Sequence, residues 1–212
     1  MTRRKPSAAS PIVSTEWLAA NLGRRNVRVV DGSWHMPQLK RDARAEFAQA
    51  HIPGAVFFDI DAIADRLSSL PHMLPSAVEF ARSVGQLGIG SPDRVIVYDS
   101  RGVVSAARVW WTFRVFGHDR VAVLDGGFPR WRAEGRPAAS GEATPRPRRF
   151  TARLRRRLVR ELASMRGTHK PRREQGHGRV IADDLAVSDS RFVVNYSRMS
   201  GDGRLIFGGG ER

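Results

Sequence analysis

The chain has 212 residues, 41% apolar and 27% charged, an ordinary globular balance that excludes wholesale disorder. No stretch approaches the roughly eighteen consecutive apolar residues that a membrane-spanning helix needs. There is no cysteine, which excludes a disulfide scaffold, thiolate-bound zinc and thiolate catalysis by this chain, and the net charge of +15 sits mainly in residues 146–179, with 13 Lys/Arg against 2 Asp/Glu.

Residues 1–10 are basic and rich in Ser and Ala with no apolar run behind them. They read as a disordered tail, with a transit peptide as the minor alternative. Ser14 then caps a helix in which Trp17, Leu18 and Leu22 share a face. Val27–Asp31 is a short β-branched run, hence a buried strand. ARAEFAQAH (43–51) is helical until Pro53 and Gly54 break it, and residues 55–58 form the next strand. Pro75 and Ser76 open a helix through Leu87, which Gly88 and Gly90 stop. Residues 94–99 are the clearest strand. A helix over 105–116, a strand over 121–125 and a last helix around Trp131 follow. Strands alternating with helices predict an α/β domain over residues 11–140, with a mostly parallel central sheet flanked by helices. Ligands of such sheets lie beyond the carboxyl ends of the strands. Three strands end there in Asp (Asp31, Asp99, Asp125), whose ordinary role is to cap the turn or helix that follows.

After Pro137 the composition becomes that of a basic linker (141–182), with one amphipathic helix expected over 153–166. Leu154, Leu158, Leu162 and Met165 would form its stripe, which needs a hydrophobic partner. The arginine excess comes without interleaved aromatics, and only Lys5, Lys40 and Lys170 are lysines. A GC-rich coding sequence gives that bias as readily as selection does, and nucleic acid is not expected as a partner. Residues 192–196 and 204–207 read as a hairpin joined by Met-Ser-Gly-Asp-Gly, so the carboxyl-terminal extension is incomplete as a domain.

The stretches RDARAEF (41–47), HIPGAVFFDID (51–61), PHMLP (71–75) and ARVWWTFRVFGHDRVAVLDGG (107–127) resemble the amino-terminal half of the two-domain 3-mercaptopyruvate sulfurtransferase and rhodanese (thiosulfate sulfurtransferase) family. The likeness runs from about Ile12 to Met165. It implies a rhodanese-like fold and transfer of sulfur from mercaptopyruvate or thiosulfate to a thiol or cyanide. In that family the carboxyl-terminal domain holds the catalytic cysteine in a loop after a strand. Here the loop at the corresponding place, Ser100–Ser105 after Asp99, has none. A persulfide carrier must be a thiolate, so the resemblance implies a chain inactive alone, which a cysteine-bearing sulfurtransferase domain would complete. The alternative is a non-catalytic rhodanese-like module that binds a protein partner. The resemblance also implies that Asp61 (in FDID) and His72 (in PHMLP) are half of a proton relay with a Ser of the cysteine loop. A carboxylate that orients an imidazole suits that task. His35, His51 and His118 are read as structural. No cofactor or metal is expected, and the cytoplasm is the expected location.

Residues 183–212 resemble an internal stretch of an FAD-dependent amine or amino-acid oxidoreductase. No GxGxxG follows a strand anywhere in the sequence, so flavin binding does not come with the likeness. The economical reading is a join of two truncated coding sequences, with residues 167–180 as the junction.

Overall fold

Val95 and Val97 face one side of a central strand and Ile96 and Tyr98 the other, and all four are fully buried. That alternation organises the first of two units seen in the computed structural model, which describes residues 10–159 and the strand backbones at 187–188, 196–199 and 205–208. The first unit takes in residues up to Arg66 and Leu74–Val159. Its sheet consists of β1 (Ile12–Val13), β2 (Val27–Asp31), β3 (Ala55–Phe57), β4 (Arg94–Tyr98) and β5 (Val121–Leu124). The order is β1-β5-β4-β2-β3, all parallel, with Val29 opposite Ile96 and Ala55, and Val123 opposite Val97 and Ile12. A parallel sheet covered on both faces demands near-continuous apolar strands, and these sequences supply them.

The helices are α1 (Thr15–Asn21), α2 (Ala43–Gln49), α3 (Ala77–Gln86), α4 (Ala106–Val115) and α5 (Gly127–Ala133). Phe80 and Val84 of α3 and Val109 and Phe113 of α4 pack on one face of the sheet; Leu18 of α1, Phe47 of α2 and Trp131 of α5 pack on the other. The caps follow the sequence. The Ser14 hydroxyl accepts from the Trp17 N–H, Asp42 accepts from Arg44 and Ala45, and Ser76 and Glu79 form a reciprocal capping box. Helices and strands thus lie close to their expected bounds. The two-residue β1 escapes a pattern search because it is too short to show a period.

The expected helix over 153–166 does not start at 153. Residues 145–155 run along α3 and α4 instead. The Arg148 N–H donates to the Gly85 carbonyl (2.8 Å), that of Arg153 to Phe116 (2.9 Å) and that of Arg155 to Val115 (2.7 Å). Phe150 is buried between Phe80, Phe113 and His118. Only a single 3₁₀ turn, Arg156–Leu158, is helical before Val159. Pairing with the exposed carbonyls of two helix ends and burial of one aromatic ring outweigh the good intrinsic helix propensity of Arg and Leu, which amounts to only tenths of a kcal/mol per residue. Residues 160–166 lie outside the described residues.

The second unit comprises Leu67–Met73 and Arg160–Arg212. Its described strands, β6 (Val187–Ser188), β7 (Tyr196–Met199) and β8 (Leu205–Gly208), pair antiparallel in that order. The β7–β8 pairing sets Tyr196 opposite Gly208 and Met199 opposite Leu205. Of the expected hairpin, residues 192–195 lie outside the described residues, while Tyr196 and residues 205–207 fall in β7 and β8.

Candidate functional site

Three loops meet at the carboxyl edge of the first unit's sheet, after β2, β3 and β4. The Gly32 N–H donates to the Tyr98 carbonyl and that of Phe58 to the Asp31 carbonyl, both at 2.8 Å. The β2 and β4 loops then exchange side-chain bonds. Ser33 Oγ accepts from the Ser100 N–H (2.9 Å), and Ser105 Oγ accepts from the Trp34 N–H (3.1 Å).

At the centre of the β4 loop lies the carboxylate of Asp99, 1% exposed. Its Oδ1 accepts from the N–H groups of Arg101 (2.9 Å), Gly102 (2.8 Å) and Val103 (3.1 Å). Its Oδ2 accepts from Val104 (2.6 Å) and Ala106 (2.9 Å). Five backbone donors thus converge on one anion. The chain turns them inward through consecutive positive φ angles, 97° at Gly102 and 105° at Val103. A β-branched residue adopts such an angle only under strain, about 1–3 kcal/mol. Ser105 stands at the N-cap of α4 without a capping bond of its own, and Asp99 caps the helix in its place through Ala106.

The β5 loop closes the arrangement from the side. The Phe128 N–H donates to the Asp99 carbonyl (2.9 Å). A Cβ at Gly127 (φ +56°) would stand 2.6 Å from that oxygen and 3.0 Å from Gly102 Cα, so only glycine fits.

Asp31 is buried, and its carboxylate accepts from the Ser33 N–H at 2.8 Å. Burial holds its carboxyl above the usual range, and hydrogen bonds with Ser33 and Tyr98 partly offset this. The Tyr98 phenol, also buried, is pushed well up by desolvation; its oxygen accepts from the Ile52 N–H (3.2 Å). Asp125 instead pairs with Arg130. Asp31 and Asp99 therefore fill the turn- and helix-capping role expected of them, and Asp125 forms an exposed ion pair.

Asp61 sits in the β3 loop, exposed. Its Oδ2 accepts from the Trp34 indole N–H (3.1 Å), and its own N–H donates to Asp59 Oδ1 (3.1 Å). His72 belongs to the second unit and has left-handed backbone, φ 57°. The structural reading of the other histidines agrees with their surroundings. His35 Nε2 bonds Glu46 (2.9 Å), His51 Nδ1 bonds the Phe47 carbonyl (2.8 Å), and His118 is buried beside Phe113 and Phe150. Desolvation holds the His118 imidazole below its usual pKa. Among the described residues no group of three His, Asp or Glu could hold a metal, and no helix is long and apolar enough to cross a membrane.

The five-donor cradle, and the parts of Trp34 and Ser105 in linking the loops, go beyond what the sequence reading reached. The available signal was an Asp closing an apolar strand, then six residues of mixed, glycine-containing loop before an apolar helix, whose N–H groups need an acceptor.

The Rhodanese-like domain family matches residues 14–134. Over 140 residues the chain is 54% identical to thiosulfate/3-mercaptopyruvate sulfurtransferase 1, mitochondrial, of Arabidopsis thaliana, covering 65% of this chain and 37% of that protein. It is 45% identical over 155 residues to human 3-mercaptopyruvate sulfurtransferase, covering 70% and 52%. Its fold is similar to the crystal structure of SseA from Escherichia coli, described as a 3-mercaptopyruvate sulfotransferase: TM-score 0.72 and 33% identity, over 76% of this chain and 63% of that one. It is also similar to the sulfur transferase subunit of yeast mitochondrial complex I, with TM-score 0.68 and 26% identity over 87% and 70%. The chain spans between a third and about half of the length of these curated relatives.

Proposed function

The chain belongs to the rhodanese-like domain family, and from that premise we propose that it is the non-cysteine half of a sulfurtransferase that uses mercaptopyruvate or thiosulfate. It is inactive by itself and is completed by a cysteine-bearing rhodanese domain from outside residues 1–212. The observation that carries this reading is the Asp99 cradle. A ring of backbone N–H groups beyond a strand end is an anion site, suited to a thiolate, a persulfide or an oxyanion. Here the chain's own carboxylate fills it, and no cysteine exists to store sulfur. Met36, Leu39, Val103 and Val104, on the β2 and β4 loops, are exposed apolar residues that support a covering partner at this edge. Asp61, held by Trp34, and His72 would contribute a relay to that partner's nucleophile. A purely non-catalytic binding module would use the same edge. The location proposed is the cytoplasm, which fractionation of cells expressing the full chain would check.

The test is complementation. The purified chain should release no sulfide from 3-mercaptopyruvate. Adding the separately expressed cysteine-bearing half of a 3-mercaptopyruvate sulfurtransferase should raise turnover above that half alone, and Asp61→Asn or His72→Gln should abolish the gain. Turnover by the chain alone would overturn the cysteine argument. Binding without any gain in rate would favour the non-catalytic module.

A further inference from the structure

Between Glu142 and Glu161 the sequence has no acidic residue and eight arginines. Their placement is not that of an evenly solvated face. Arg148 turns inward to Asp93, which is 1% exposed, and Arg155 pairs with Asp119 through two contacts (2.6 and 2.7 Å). Together with buried Phe150 and the backbone bonds to Gly85, Ser91, Val115 and Phe116, these pin the segment to the domain. Arg146, Arg149, Arg153, Arg156 and Arg157 are left exposed, with no ion pair to another described residue. A largely extended segment from 146 to 157 spans at most about 36 Å. The result is a row of five exposed arginines along a backbone that is hydrogen-bonded to the domain.

We infer that this row binds the phosphate backbone of single-stranded nucleic acid, a function separate from sulfur transfer. Guanidinium forks match phosphate oxygens, and a repeating chain of single negative charges matches a row better than it matches a point. Leu154 is the one exposed large apolar side chain within the row, too little for a protein interface core. No exposed aromatic stands among the arginines to stack a base. The binding is therefore independent of sequence and strongly salt-dependent. The composition alone argued against nucleic acid; the anchored geometry reverses that, because the cost of ordering the segment has already been met in folding.

The experiment is fluorescence anisotropy with a labelled oligouridylate of about ten nucleotides, titrated with the full chain over a range of NaCl concentrations. Five phosphate contacts predict a slope of log K on log salt near −3.5 from this row alone. The variant Arg149→Gln/Arg153→Gln/Arg156→Gln should make that slope shallower by about 2 and weaken binding at least tenfold at low salt. The same three positions changed to Lys should restore most of the affinity. The variant Arg24→Gln/Arg25→Gln/Arg82→Gln removes equal charge from exposed sites elsewhere and should change affinity less than threefold. Equal losses in the two Gln variants would reduce the effect to net charge and overturn the proposal. So would an unchanged affinity and salt slope in the Arg149→Gln/Arg153→Gln/Arg156→Gln variant.

Discussion

The Asp99 carboxylate and the Val104 amide meet at 2.6 Å across five residues of loop. That bond and its four companions make one side chain the organiser of the sheet's carboxyl edge. Hydrogen bonds to an ionised group contribute about 1.5–3 kcal/mol each. They are not additive here, because the loop relaxes as a unit. Asp99→Ala should lower unfolding free energy by about 3 kcal/mol or more in urea denaturation, and should raise amide exchange at Val104 and Ala106 first. Asp99→Asn keeps one acceptor oxygen and should recover only part of the loss. A variant as stable as the parent would show that the loop holds itself.

The carboxyl-terminal limit of the sheet domain gives a second prediction. Phe150 is 7% exposed and touches Phe80, Phe113 and His118, and Arg148 brings a second guanidinium, beside Arg28, to buried Asp93. Phe150→Ala should cost about 3–5 kcal/mol. A chain ending at residue 140 should be less stable than one ending at 159 by at least as much. Thermal melts of the two truncations decide the matter; equal melting temperatures would return 141–159 to the status of a linker.

The contrast with the amino-terminal 140 residues shows what the sequence can carry. Elements such as Arg94–Tyr98 or Ser76–Gln86 announce themselves because strand burial and helix capping are local patterns of a few residues. Residues 145–155 take their conformation from Gly85, Val115 and Phe116, partners distant in sequence, and no local period records that. The site divides in the same way. Asp99 was visible as a strand-end acid with a capping role. The convergence of five donors depends on positive φ at Gly102 and at Val103, and nothing in the identity of a valine announces it. The Asp61–Trp34 bond joins residues 27 apart and was equally hidden.

A third prediction concerns acid. Glu134, at the end of α5, accepts from the Thr15 hydroxyl (2.6 Å) and pairs with Arg136 and Arg130 (2.7 and 3.0 Å). The Thr15 hydroxyl first, then the Arg136 guanidinium, pull its carboxyl from an ordinary 4.5 down to about 2. A depressed folded-state pKa gives stability that is present above the unfolded value and lost as pH falls through the folded one. The contribution of Glu134 is therefore intact above about pH 4.5 and disappears toward pH 2. Glu134→Gln should flatten the stability profile in that window, measured by urea midpoints from pH 2 to 6, and should separate the start of α1 from the end of α5. A profile parallel to the parent's would mean that the ion pairs are solvent-screened to nothing.

The strain at Val103 supplies a fourth. Its φ of 105° serves to aim its N–H at Asp99 Oδ1 (3.1 Å), while its side chain stands exposed and gains little by packing. Glycine adopts that angle freely, so Val103→Gly removes about 1–3 kcal/mol of backbone strain. Against this stands the greater entropy of a glycine in the unfolded chain, about 0.5–1 kcal/mol. The balance favours the variant, by about 1 kcal/mol in urea denaturation. Selection for folding alone would not keep a valine there, whereas a partner that covers the exposed side chain would. Val103→Gly should therefore raise stability and, in the complementation assay, weaken association with the cysteine-bearing half. A loss of stability would show that the loop is not strained as drawn, and a gain with undiminished association would remove Val103 from the docking edge.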